Sequence, residues 1–255
     1  MERKTRARIS VKNLSKTFFS VKGEPRLVVD NVSFDVYDNE FFVLLGPGQC
    51  GKSVIINMMA GLLKQDEGEV TLDGEKVTGP NPKIGMIFQK LGLMPWKTVM
   101  ENVEIGPQLR GVDKKERREK AQYYINLVGL NGFENHFPHQ LSGGMKQRVG
   151  IARAYTNDPE ILIMDEPFGQ LDAQTRYSMQ NEVARIWSEE RRTVIFITNN
   201  IEEAIYLGDR IQLLTTCPAK IKKVYDIDLP RPRDMIDPYF LTMRKEISYN
   251  TDLAL

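Results

Sequence analysis

The sequence predicts an α/β fold with a mostly parallel sheet, an antiparallel β subdomain and an inserted helical subdomain. Three observations carry that prediction. Apolar runs without polar alternation recur at 41–45, 84–88, 161–164 and 194–197 with helical stretches between them, as in parallel strands covered on both faces. Near the start, Ile9, Val11, Val32, Phe34 and Val36 alternate with polar residues, as half-buried antiparallel strands do. Between 96 and 154 no strand-like run occurs, whereas Ala121, Tyr124, Ile125 and Val128 stand at helical spacing before Gly129, which predicts a helical block.

On this reading the 255 residues form one domain. The core and its antiparallel subdomain take 8–92 and 155–215, and the helical subdomain takes 93–154. Residues 69–74, ending in Asp73-Gly74, read as a hairpin. A tail is expected over 216–255, where Leu229-Pro230-Arg231-Pro232-Arg233 breaks regular structure and the remainder reads as peripheral.

Composition limits the function. Hydrophobic residues make up 41% and charged residues 27%, enough for a large buried core. Lys and Arg total 35 against 34 acidic residues, so there is no overall basic field and no nucleic-acid partner is expected. Two cysteines, Cys50 and Cys217, are too few for a disulfide framework and lack zinc-like spacing, which fits a reduced cytosolic compartment. No apolar run nears the ~18 residues of a membrane span, so membrane work would proceed through a partner. The basic start over 1–8 lacks an apolar signal core, and the mixed-sign cluster over 114–120 reads as a solvated helix face.

Gly46-Pro47-Gly48-Gln49-Cys50-Gly51-Lys52-Ser53 satisfies Gly-x4-Gly-Lys-Ser directly after the apolar run at 41–45, so the core is expected to be that of a P-loop NTPase. Glycines let the backbone fold into a concavity whose N–H groups face phosphate oxygens, and the following helix start adds positive potential. Lys52 is expected against the outer phosphates, with Ser53 on magnesium and Val54 closing the binding set. Cys50 lies close to that helix start, where a thiol pKa can fall and alkylation becomes plausible. No His stands beside it in sequence, and no catalytic role is expected for the thiol.

Ile161-Leu162-Ile163-Met164 runs into Asp165-Glu166-Pro167, delivering two adjacent carboxylates to one strand end. Asp165 is expected in the magnesium shell and Glu166 as the base that orients and activates water. Gln89, just past 84–88, offers an amide oxygen to the magnesium or water shell.

Leu141-Ser142-Gly143-Gly144-Met145-Lys146-Gln147-Arg148 precedes the acidic strand. Ser142 can cap a helix on which Met145, Val149 and Ala152 share a face, leaving two glycine amides for an anion. This octapeptide resembles the signature sequence of ABC ATPases, and the resemblance runs from about Ile9 to Leu214.

The resemblance implies that ATP and Mg2+ are the cofactors and that two chains, as a homodimer, sandwich two ATP molecules head to tail. Ser142, Gly143 and Gly144 would then sense the γ-phosphate held by the opposite subunit. Phe18 matches the aromatic that stacks on adenine, with Phe19 as competitor, and Gly169-Gln170-Leu171-Asp172 matches the loop that crosses to the partner, Asp172 above all. Leu93-Met94-Pro95-Trp96, Thr98-Val99, Glu101-Asn102-Val103 and the Pro-Arg tail resemble the nitrate/sulfonate/taurine branch of bacterial importers. That branch implies a transmembrane permease, indirectly a solute-binding protein, and a peripheral place on the cytoplasmic face of the membrane.

One position departs from the pattern. Family members usually carry His after the strand at 194–197, where it contacts the γ-phosphate; here Thr198-Asn199-Asn200 stands, and the two histidines, His136 and His139, lie elsewhere. An Asn amide donates but is shorter, neutral and unable to take a proton, which predicts slower hydrolysis or, in the alternative reading, an ATP-gated regulatory subunit. A soluble, non-transporting ABC protein is the other alternative.

Overall fold

The computed structural model describes residues 6–251, so Arg3 and Lys4 of the basic start lie outside the described residues. The first elements are β1 (Ala7–Phe19), β2 (Pro25–Tyr37), β3 (Phe41–Leu45), α1 (Lys52–Met59), β4 (Glu67–Leu72) and β5 (Glu75–Lys76). Then come β6 (Ile84–Ile87), α2 (Val99–Val103), α3 (Ile105–Leu109), α4 (Lys114–Leu127), a 3-10 turn at Pro138–Gln140, α5 (Gly143–Thr156), β7 (Ile161–Asp165) and α6 (Ala173–Glu189). The chain ends through β8 (Thr193–Thr198), α7 (Ile201–Leu207), β9 (Arg210–Leu214), β10 (Ile221–Asp226) and α8 (Pro238–Asn250). It divides into two compact units, one made by the segments up to Asn81 and from Arg192 on, the other by Pro82–Arg191.

In the first unit β2, β1, β4 and β5 form an antiparallel sheet in that order. Register sets Ile9 opposite Val36, Val11 opposite Phe34 and Leu14 opposite Val32, so the alternating apolar set lies on one buried face. Asp73 and Gly74 turn β4 into β5 with φ of 52° and 86°, the left-handed pair that tight hairpins favour. β3 lies between β8 and β9, parallel to both, and all five of its residues are buried. An unbroken apolar run is what a strand covered on both faces requires.

The tail differs from expectation. Residues 221–226 form β10, antiparallel to β9, and Pro238–Asn250 forms α8, capped by the Asp237 side chain on the amides of Tyr239 and Phe240. Phe240, Met243 and Ile247 are buried, and α8 packs on α7. Asp before Pro, then apolar residues three and four positions apart, is a helix-start pattern. It stood in the sequence behind the Pro-rich break.

The second unit pairs β6 with β7 in parallel, Ile84 opposite Ile161 and Ile87 opposite Met164. β6 stops at Ile87, and Phe88, expected as its last residue, is exposed. Helices fill 99–156 as the missing strand pattern predicts, and α5 packs against α2, α3 and α4. β6, β7 and α6 group with these helices, so the boundaries drawn by packing lie outside the 93–154 read from periodicity. Asn102 explains part of the branch-like segment. It is buried, accepts from the Met94 amide and donates to the carbonyls of Met94, Lys97 and Thr98, pinning the loop before α2.

Glu40 and Arg210 form a buried ion pair in the first unit, with contacts of 2.7 and 2.9 Å. The same guanidinium donates to the Asp35 carbonyl and lies over the Tyr37 and Phe42 rings. Truncating one partner leaves a buried charge uncompensated, so Glu40→Ala is expected to cost about 3–5 kcal/mol. The urea midpoint of unfolding, with unchanged slope, measures it; a variant unfolding at the wild-type midpoint contradicts it.

Candidate functional site

In the first unit the phosphate loop follows from its neighbours. β3 ends at Leu45, Gly46 donates its amide to the Thr198 carbonyl at 3.4 Å, and α1 begins at Lys52 after Gly51 with φ of 120°. Gly51 suits this turn, since its backbone has a positive φ and a Cβ there would come 3.0 Å from the Val28 carbonyl oxygen. Gly48 and Gln49 lie exposed, and a Cβ on Gly48 would meet nothing within 4 Å, so the outer rim of the loop is open. Lys52 is 4% exposed, and its Nζ donates to the carbonyls of Gly46 and Pro47 at 2.8 and 2.7 Å. Ser53 is exposed at the first turn, Pro47 and Val54 half-buried.

Asn199 follows β8 and is exposed. Its two neighbours are fixed: Thr198 donates its hydroxyl to Glu203 at 2.6 Å, and Asn200 caps α7 by accepting from the Glu203 amide. Phe18 and Phe19 end β1 at 39% and 72% exposure. Lys16 Nζ lies 5.7 Å from the Phe18 ring centroid, so Phe18 presents an aromatic face already engaged by a cation.

The second unit gathers the remaining candidates. Asp165 ends β7 at 9% exposure, and Glu166 adopts φ of 42°, a left-handed backbone that costs a non-glycine residue of order 1–3 kcal/mol and clusters at functional positions. The Gly169 amide donates back to the Glu166 carbonyl at 3.1 Å, closing the turn. A Cβ on Gly169 would sit 3.9 Å from Gln89 Nε2, so the Gln89 amide lies beside the acidic turn. Asp172 caps α6, one oxygen accepting from the Thr175 amide at 3.0 Å and the other from its hydroxyl at 2.7 Å. The Thr175 amide holds its pKa below the usual carboxylate value.

Ser142 caps α5 by accepting from the Met145 amide at 3.3 Å. Gly143 and Gly144 open the helix, where amides have no intrahelical acceptor. A Cβ on Gly144 would come 2.7 Å from Thr175 Cγ2, and one on Gly143 3.4 Å from Leu171, so the glycines let the start of α5 approach the start of α6. A long-range contact lies beside these candidates. Arg153, eleven positions past Ser142 on the helix, donates to the carbonyls of Leu91 and Gly92, anchoring the segment after Gln89. No spacing rule marks it, because its partners lie some sixty residues away in sequence.

These arrangements have a family. A profile described as ABC transporter matches residues 29–169. This chain belongs to the ABC transporter family. An uncharacterized ABC transporter ATP-binding protein of Methanocaldococcus jannaschii is 49% identical over 95% of this chain and 90% of that one. The aliphatic sulfonates import ATP-binding protein of Bacillus cereus is 41% identical over 94% of both, and the taurine import ATP-binding protein of Rhizobium johnstonii 42% identical over 91% and 92%. Among solved structures, a dimeric bacterial ABC transporter cassette superposes with a TM-score of 0.75 at 32% identity, over 87% of this chain and all of that one. A post-hydrolysis state of the same cassette, bound to ADP and Pi, does so at 0.75 and 31%. The chain is thus an ABC ATP-binding subunit and an ATPase. Among the described residues no helix is long and apolar enough to cross a membrane.

Cys50 departs from expectation. It is 1% exposed, and burial pushes its thiol pKa up, with Lys52 opposing only in part. The nearby helix start does not lower it, because desolvation of the thiolate outweighs the charges around it. A raised pKa keeps the thiol protonated to higher pH, so labelling should begin only above the pH at which an ordinary thiol reacts. Cys50 is expected to take up iodoacetamide on the order of tenfold more slowly in the folded chain than in urea at pH 8. Peptide mass spectrometry reads the rate at that site, and equal rates would overturn the assignment.

Proposed function

We propose that this chain is the ATP-hydrolysing subunit of an importer for small anions of the nitrate/sulfonate/taurine class, working as a homodimer against a transmembrane permease at the cytoplasmic face of the membrane. Likeness to the sulfonate and taurine import proteins along more than nine-tenths of the chain supports it; a solute-binding protein would supply the permease. The regulatory and non-transporting alternatives gain no support from those relatives. The observation that carries the nucleotide chemistry is the buried Lys52 ammonium turned into the rim of its own glycine loop.

The phosphate loop fits an ATP tail. Gly46, Pro47, Gly48, Gln49, Cys50, Gly51 and Val54 contribute backbone to the cradle, whose open rim leaves main-chain donors for anionic oxygens. Lys52 exchanges its two carbonyl acceptors for outer phosphate oxygens. Phe18 offers its ring to the base.

Ser53 in the first unit and, in the second, Gln89 and Asp165 each offer an oxygen of the kind Mg2+ takes, a hydroxyl, an amide and a carboxylate; Mg2+ would neutralise charge on the phosphates when bound. Glu166 orients the attacking water and takes its proton, its strained backbone fixing the carboxylate direction. Asn199 donates its amide to the terminal phosphate. In the dimer the amides of Gly143 and Gly144, with Ser142, meet the nucleotide on the other subunit, and Asp172 holds the start of α6 beneath them.

Two measurements test the reading. With radiolabelled ATP, Lys52→Ala is expected to lose binding, whereas Glu166→Gln keeps it and loses about 10²–10⁴ in turnover, the range of a general base; a Glu166→Gln variant at wild-type rate removes that role. Asn199→His is expected to raise turnover, since an imidazole there can carry charge and take a proton, which the neutral amide cannot. Phosphate release by the two proteins, assayed side by side, decides it, and equal rates remove the idea that Asn199 slows hydrolysis.

A further inference from the structure

The Pro-Arg segment is built into the first unit. Arg233 is 6% exposed and donates to the carbonyls of Ile205, Tyr206 and Gly208 and, through Nε, to that of Leu229 at 3.2 Å. Arg231 donates to the Leu207 carbonyl and to Asp209. Two guanidinium groups thus cover four consecutive carbonyls at the end of α7, the groups a helix C-terminus leaves without intrahelical partners. Their positive charge also suits the negative end of the helix dipole.

The helix they cap is seven residues long, too short to hold together unaided, and Asn199 stands two residues before it. Its N-terminal side is tied to Glu203 by Thr198 and Asn200, and Glu202 pairs with Arg244 of α8 at 3.1 Å. Its far end is pressed on β3, since a Cβ on Gly208 would come 2.8 Å from Val43 Cγ2. Asp209 continues the chain of contacts. Its second oxygen accepts from the Phe41 amide at 3.0 Å, at the start of the strand that delivers the phosphate loop.

We propose that Arg231 and Arg233 are positioning residues for ATP hydrolysis: by clamping the C-terminal end of α7 they hold Asn199 at the distance from the terminal phosphate that turnover requires. The inference rests on the role given to Asn199 above. Loss of the clamp lets a two-turn helix shift, and displacements on the order of 1 Å at a reacting centre cost large factors in rate. The phosphate loop keeps its own strand and helix, so ATP binding should survive.

The experiment measures kcat and ATP affinity for the full chain, for Arg233→Met, and for the same change in an Asn199→Ala background. Expected is a fall in kcat of about tenfold with ATP affinity kept within about twofold, and a fall of less than about twofold once Asn199 is gone, as coupled neighbours behave. A kcat equal to wild type, an equal fall in both backgrounds, or a joint loss of kcat and affinity in a folded variant overturns the proposal. If Asn199→Ala alone turns over at the wild-type rate, the role of Asn199 fails first and the clamp with it; if that variant is slow and Arg233→Met is not, only the clamp fails. Should Arg233→Met not fold, Arg231→Lys reads the same comparison, because it keeps a charge for Asp209 while losing the fork that also reaches Leu207.

Discussion

Lys52 carries its charge into the protein, and much of the first unit follows from where that charge must rest. An ammonium taken from water has to be fully hydrogen-bonded to be tolerated, and here the carbonyls of Gly46 and Pro47 receive it. Those carbonyls can turn inward only because the loop is short, glycine-rich and fixed at both ends. Upstream, β3 is locked between two parallel strands and buried throughout. Downstream, Ile55 and Ile56 of α1 are buried, so the helix cannot slide along its axis. In the ATP site proposed above, a lysine so placed would trade two neutral acceptors for phosphate oxygens and gain charge–charge attraction.

The second unit solves a different problem, that of bringing several exposed loops into fixed relation. Glycine at 144 removes the Cβ that would strike Thr175, which lets α5 and α6 start side by side. Asp172 spends both oxygens on Thr175, so the turn between the acidic strand and α6 cannot fray. Arg153 ties the loop after β6 to α5 through two carbonyls, and burial pulls its pKa down without removing the charge. Gln89, the turn at Glu166 and the Ser142 helix start thereby belong to one packed body. Arg153 ties the segment after Gln89 to the helix that begins at Ser142.

How much of this the sequence disclosed depends on the range over which each feature is written. The phosphate loop, the acidic strand end, the Ser142 cap and the Asp73-Gly74 turn are local, each readable from a few adjacent residues whose types the backbone dictates. The buried strands announced themselves because both faces of β3, β7 and β8 are covered. Contacts across long separations left no such trace: nothing near Arg153 points to Gly92, and nothing near Arg233 points to Gly208. Cys50 follows the same rule, since proximity to a helix start is visible in sequence while depth of burial is not. The capped start of α8 is local as well, Asp237 before Pro238, and lies just past a run of prolines.

The asparagine at 199 and the arginines at 231 and 233 bear on one physical requirement. A charged donor attracts a phosphate through a Coulomb energy that falls slowly with distance, so an imidazolium tolerates some play. A neutral amide has only a hydrogen bond to offer, and that bond weakens steeply outside about 2.7–3.2 Å and good alignment. In the role proposed for Asn199, asparagine therefore demands tighter placement than histidine would. The first unit meets the demand from both ends of a seven-residue helix, by Glu203 at its start and by two guanidinium groups at its finish. On this argument the clamp matters more because the residue it serves is neutral, and a subunit with histidine at the same place would feel its loss less.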